Sequence, residues 1–236
     1  MPLLNKGNSK TVKGEKLGYR TYGLHLAPYN LSGRNICPHA SKGCAKSCLN
    51  TAGRGAMQNV QNARIAKTQR FFTNRKEFLS DLKKEITSSI KSAKRAGYIP
   101  ALRLNLTSDL PWHKIGNAKE KSIVEEFPEL QAYDYTKDYR RMIDFLDGKL
   151  PNNYDLTFSY SEDTTSKQLK TILGKGGKVA AVFRGPELPK SYLGFKVVDG
   201  DESDLRFLDP KGVIVGLVAK GKAKHDKTGF VIDPED

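Results

Sequence analysis

The stretch "NRKEFLSDLKKEITSSIKSAKRAGYIPALRLNLTSDLPW", residues 74–112, sets a long amphipathic helix directly before a short buried strand. Phe78, Leu79, Leu82, Ile86 and Ile90 recur at helical spacing among lysines. Asn74 and Glu77 resemble a capping box, with Asn in place of the usual Ser or Thr. Gly97 suits the residue just past the helix, and Pro100 lies beyond it. Ala101, Leu102, Leu104 and Leu106 then suit a buried strand that ends near Ser108.

The same alternation continues outward in both directions. Upstream, "YRTYGLHLAP" (19–28) reads as a first strand and 60–72 as a helix. Downstream, "HKIGNAKEKSIVEEF" (113–127) is partly helical. Strands are then expected at 129–137, 153–162, 178–185, 195–201 and 211–221, with helices over 137–148 and 163–177. Strands that alternate with helices argue for an α/β fold with mainly parallel strands. About seven short strands suit a partial or complete (β/α) barrel, and an open doubly wound sheet is the alternative. With no internal repeat or linker, residues 1–236 read as a single domain, and 1–17 as a loose basic N-terminal arm.

Sites in parallel α/β proteins gather at the C-terminal ends of strands. Here those ends are rich in Ser, Thr, Tyr, Lys and Arg: "NLTSD" (105–109), "YDYTK" (133–137), "SYSED" (159–163) and "FRG" (183–185). Tyr135, Lys137 and Arg184 are candidate binding residues on this ground, and Ser159 and Ser161 weaker ones.

All three cysteines, Cys37, Cys44 and Cys48, fall in the loop after the first strand, spaced C-x6-C-x3-C. Thiolates are soft ligands that select zinc or iron–sulfur clusters. Three thiolates on a [4Fe–4S] cluster would leave one iron open to a small-molecule ligand. Gly33, Gly43 and Gly53 would let the backbone come close, and Pro38 stiffens the turn. Zinc is the alternative metal, with His39 as a fourth ligand. Three free buried thiols are the plainest reading of all.

The chain carries 40 Lys and Arg against 26 Asp and Glu, a formal charge of +14. An excess of this size points to a polyanionic partner, most often nucleic acid. The set "KGKAKHDK" (220–227), with Lys67, Arg70, Arg75, Lys83 and Lys84, would form a phosphate-tracking surface. No apolar run approaches the roughly 20 residues that span a bilayer. The N-terminus has no apolar signal core. Clustered thiols without a disulfide framework suit a reducing, cytoplasmic setting. The Ser–His–Asp, H-E-x-x-H and phosphate-loop patterns do not occur in the sequence.

The pattern "CPHASKGCAKSCLNTAGRG", the basic helix after it and the tail "RFLDPKGVIVGLVAKGKAKHDKTGF" resemble the phage gene-88-protein family, from about Tyr22 to the C-terminus. That family in turn resembles radical S-adenosylmethionine (SAM) proteins. The resemblance implies a partial (β/α) barrel and a four-iron cluster on Cys37, Cys44 and Cys48. It also implies a host-cytoplasmic location and a radical SAM-type activity. By position and polarity, Asn105, Thr107, Ser108 and Asp109 stand where such proteins bind the SAM amino group. Two features differ. The superfamily spacing is C-x3-C-x2-C, and Ser47 occupies the place of the aromatic that packs on adenine. They leave a non-catalytic, metal-stabilised nucleic-acid-binding protein as the alternative function.

His39 reads as a loop residue near the cluster, and His113 and Arg54 as site or surface residues. Asp199 and Asp201 read as a turn first and a carboxylate pair second.

Overall fold

The computed structural model describes residues 1–6, 11–116 and 121–234. Among the described residues, ten strands form one sheet: β1 (Leu4–Lys6), β2 (Tyr19–Leu24), β3 (Ile99–Arg103), β4 (Gln131–Thr136), β5 (Tyr154–Ser159), β6 (Val179–Phe183), β7 (Ser191–Tyr192), β8 (Phe195–Asp199), β9 (Ile214–Val218) and β10 (Val231–Ile232). The order is β1-β2-β3-β4-β5-β6-β9-β8-β7, with β10 beside β6. Pairings from β2 through β6 to β9 and β8 are parallel; only the outermost strands, β1 and β7, run antiparallel.

The sheet does not close, because β1 and β7 end the order at opposite edges. It is not doubly wound either. Strands β2 to β6 lie side by side in chain order, and right-handed crossovers then place every connecting helix on the same face. These helices are α2 (Gln58–Thr73), α3 (Arg75–Arg95), α4 (Ile123–Glu126), α5 (Tyr139–Leu146) and α6 (Ser166–Gly174), after a short α1 (Lys42–Lys46) in the cysteine loop. Phe71, Phe78, Leu82, Met142, Leu169 and Ile172 from the helices share one core with Leu102, Ala132, Leu156 and Ala181 from the strands. Burying this face at roughly 25 cal/mol per Å² of apolar surface is the main source of stability.

Side chains alternate across a strand, so the opposite face carries Thr21, Arg103, Tyr133, Tyr135, Asp155 and Thr157. Its lower part is plugged by the segment around Asp204. Arg103 Nη1 lies 2.7 Å from Asp204 Oδ2, and Tyr133 Oη donates to the same oxygen at 3.3 Å. Lys178 pairs with Asp155 at 2.7 Å and also donates to the Arg206 carbonyl.

Helix α3 ends as its sequence predicts. Gly97 has φ 77°, and Tyr98 N–H reaches back to the Ala93 carbonyl at 3.0 Å. Its start differs, because Asn74 makes no side-chain cap and instead donates to Glu77. The expected loose arm is also corrected. Leu3 is fully buried, β1 pairs with β2, and Thr11–Leu17 forms a 3-10 helix. Glu85 on α3 accepts the Leu3 and Leu4 amides at 2.8–2.9 Å, which anchors a segment that its basic residues make look free. Residues 7–10 and 117–120 lie outside the described residues.

Candidate functional site around the three cysteines

The loop leaves β2 at Leu24 and returns to helix at Gln58, at the C-terminal rim of the parallel strands. Ala27 N–H donates to buried Thr68 Oγ1 at 2.8 Å, which ties the loop to α2. Gly33 and Gly53 both take positive φ, at 79° and 52°. Ser41 caps α1 by accepting the Cys44 N–H at 3.1 Å. Cys48 stands at the start of the 3-10 turn Leu49–Thr51.

Gly43 has a reason of a different kind. A Cβ there would stand 2.2 Å from Thr228 Oγ1 and 2.5 Å from Phe230 Cβ. The C-terminal segment therefore packs directly on α1. Glu162, just past β5, fastens the other side: its carboxylate accepts from Ser41 Oγ and from Gly43 N, both at 2.6 Å.

The three thiols are half-buried and unbridged, and they lie within one another's electrostatic field. Burial raises all three thiol pKa values, with Cys37 pushed up to about 12. Each also has its own opposing positive group. Tyr29 N–H donates to Cys37 Sγ at 3.4 Å. Lys137 stabilises charge on Cys44. The Asn50 N–H and the Arg64 guanidinium do so for Cys48. Arg64 itself bonds Asn50 Oδ1, and its buried Nε has no hydrogen-bond partner among the described residues. Among the described residues, no three His, Cys, Asp or Glu side chains converge on a single metal ion.

Lys137 is the central cation. Its ammonium donates to the Ser159 carbonyl at 3.1 Å, Ser159 Oγ at 2.8 Å and the Tyr160 carbonyl at 2.9 Å. It sits 5.1 Å over the Phe230 ring. Burial lowers its pKa, and Cys44, Asp109 and Glu162 oppose that shift.

The other sequence candidates separate by position. Asp109 accepts from Lys137 N at 2.9 Å and pairs with Arg141 at 2.7 Å, close behind the thiols. Thr107 donates to the Leu26 carbonyl at 2.6 Å, and its own carbonyl faces Cys37 Sγ at 3.9 Å. Asn105 is a buried hub: its Oδ1 accepts from Ser108 Oγ, Leu110 N and Trp112 Nε1, and its amide donates to Leu110 O and Asp134. Asn105 and Ser108 thus shape the turn after β3. Tyr135 lies deeper, with the Arg103 guanidinium 4.5 Å over its ring.

Arg184 bonds Asp233 and the Lys224 and Asp226 carbonyls, so it clamps the C-terminal segment. His39 faces Asp138 at 3.6 Å, Arg54 is exposed, and His113 lies 6.2 Å from the Tyr154 ring. Asp201 N–H donates to Asp199 Oδ1 at 2.7 Å, which makes that pair a turn.

Tyr29, Arg64 and Glu162 were not legible as site residues. Nothing in the sequence marks a tyrosine for a left-handed conformation. Arg64 and Glu162 look like ordinary charges until the loop folds over them.

Beside the thiol loop, an open cleft of about 530 Å³ runs between Pro38–Ala40 and the starts of α5 and α6. Among the described residues, no helix is long and apolar enough to cross a membrane. No curated protein and no solved structure matches the chain. A family model described as gene product 88 matches residues 2–234. With nearly its whole length covered, the chain belongs to the gene product 88 family.

Proposed function

We propose that Cys37, Cys44 and Cys48 hold a [4Fe–4S] cluster with one iron left open to a small-molecule ligand. The carrying observation is that each sulfur has its own positive complement: Tyr29 N–H, Lys137, and Asn50 N–H with Arg64. Free thiols need no such arrangement. Thiolates do, because metal binding strips their protons and leaves anionic sulfur in a half-buried site. The donor set is soft, as iron–sulfur clusters require. When bound, such a cluster supplies electron transfer and a coordination place for a ligand. In this chain Lys137, Arg64 and the two amides offset the sulfur charge, and Glu162 and Ser41 fix the loop.

Zinc remains the alternative metal, and the two make different demands on the donors. A lone zinc ion gathers its thiolates to about 2.3 Å from one point. No such convergence occurs among the described residues. A cluster puts each sulfur on a different iron.

A singly wound, open parallel sheet with the thiol loop after β2 supports a partial-barrel, radical SAM-like reading. SAM is then the proposed ligand, in a protein of the phage-infected host cytoplasm. Ser47, in place of an aromatic, favours the second reading: a non-catalytic, metal-stabilised nucleic-acid-binding protein.

Protein made without oxygen should be brown, with about four irons and four sulfides per chain. Cys→Ser variants at 37, 44 and 48 should each lose the colour. Colourless protein with one zinc or no metal overturns the cluster. Reduction with dithionite in the presence of SAM separates the functions. Release of 5′-deoxyadenosine marks the enzyme, and intact SAM marks the binder.

A further inference from the structure

We propose that the outer surface of the thiol loop, together with the basic turn at Gly221–His225, is a docking face for single-stranded nucleic acid. This rests on the nucleic-acid reading and not on the cluster.

Three observations meet at this face. First, the two segments touch. The 3-10 turn Gly221–His225 packs on the 3-10 turn Leu49–Thr51, and a Cβ on Gly221 would stand 3.0 Å from Ala52 Cβ. Phe230 and Thr228 pack on α1 through Gly43. The loop and the C-terminal segment therefore form one continuous surface at the sheet's rim.

Second, most of its cations are free. Lys42, Lys46, Arg54, Lys222, Lys224 and Lys227 are all exposed. Among the described residues none of these six has an ion-pair partner, whereas the neighbouring Lys220 is held by Asp201 at 2.6 Å. An unpaired cation releases the counterions of a phosphate without first losing an internal partner.

Third, the same loop exposes large apolar side chains: Tyr29 at 41%, Leu31 at 38%, Leu49 at 64% and Met57 at 53%. Leu49 belongs to the turn that packs on Gly221–His225, so apolar surface stands beside those lysines. Cations interleaved with apolar and aromatic groups match a strand whose base faces are bare. A duplex hides those faces and would use the cations alone.

The test uses the full chain and a fluorescein-labelled single strand of roughly 20 nucleotides, longer than one single-strand site. Binding is read by anisotropy over a salt series, with an equal-length duplex in parallel. The single strand should bind more tightly than the duplex. The K222E/K224E/K227E variant should weaken binding about tenfold or more and reduce the salt slope by roughly 2. K91E/K94E/R95E, which makes the same charge change on exposed residues of α3, should move affinity less than about threefold. Tyr29→Leu should weaken the single strand and leave the duplex unchanged. Circular dichroism checks that each variant is folded. Equal losses from both triple variants overturn this face while leaving nucleic-acid binding intact. Duplex binding as tight as single-strand binding overturns the stacking role. No binding at any salt overturns both the face and the nucleic-acid reading.

Discussion

The backbone N–H of Tyr29 donates to Cys37 Sγ across 3.4 Å, from a left-handed residue with φ 49°. A side chain in that region costs roughly 1–2 kcal/mol relative to glycine. The loop keeps the strained conformation because Ala27 is pinned to Thr68 on one side, and Ile36 N–H returns to the Tyr29 carbonyl on the other. Tyr29→Gly keeps the N–H and removes the strain. It should load metal as the parent does and stay within about 1 kcal/mol in stability. Tyr29→Pro lacks the N–H and cannot take a positive φ. It should lose most of its iron. Equal iron in Tyr29→Pro and parent protein would show that this contact has no part in holding the site.

Glu162 fastens the loop from the turn after β5, so its loss should act on the loop before it acts on the core. Its carboxylate accepts two short bonds, from Ser41 Oγ and Gly43 N. Hydrogen bonds to a charged group are worth roughly 1.5–3 kcal/mol each. Glu162→Ala should cost about 2 kcal/mol in urea unfolding, since water replaces part of what is lost. Limited proteolysis should then cut between residues 37 and 48 sooner than in the parent. A variant with unchanged stability and unchanged cleavage would mean that α1 is held by Thr228 and Phe230 alone.

The latch also marks the limit of the sequence reading. Periodicity was enough for α3, for the alternating elements and for the thiol loop after β2, because those depend on local spacing. The edge strand β1 was hidden, since Leu3 and Leu4 are ordered by Glu85 across more than eighty residues. The open singly wound sheet needed the strand order, which composition does not carry. Polar strand ends drew Lys137 and Asp109, which lie beside the thiols. The same rule drew Asn105 and Ser108, whose hydrogen bonds build a turn, and Arg184, whose three nitrogens hold the C-terminal segment. One sequence cannot separate a polar group that waits for a ligand from one that is already satisfied.

Asp134 gives the fold a pH dependence on the neutral side. Burial raises its pKa to about 7, against the opposing Arg103, the Asn105 N–H and the Tyr154 hydroxyl. In the unfolded chain the same carboxyl ionises near 3.9. The folded state therefore holds a proton that the unfolded state has released, and stability falls as pH rises from about 4 to about 7. His25 and His113 act on the acid side. Burial lowers them to about 3 and about 4, so their neutral forms favour the fold above pH 6.5, and this is lost as pH falls through those values. Asp134→Asn removes only the first effect. Its stability relative to the parent should rise by at least about 1.4 kcal/mol between pH 5 and pH 8, the equivalent of one pKa unit. A constant difference across that range would mean that Asp134 is ionised in the fold.

Thr157 lies in the middle of β5, on the face away from the helices. Its side chain is fully buried, and Oγ1 has no hydrogen-bond partner among the described residues. A buried hydroxyl left without a partner costs about 1–3 kcal/mol, and valine has the same shape without that cost. Valine also suits a strand as well as threonine does. Thr157→Val should therefore raise the unfolding free energy by about 1 kcal/mol in the protein free of ligand. Its strand neighbours Asp155 and Ser159 are both engaged, by Lys178 and Lys137, so the gain should come from this one group. If the variant is instead less stable than the parent, the hydroxyl has a partner in solution, and the face of the sheet around Tyr135 and Arg103 is hydrated and not dry.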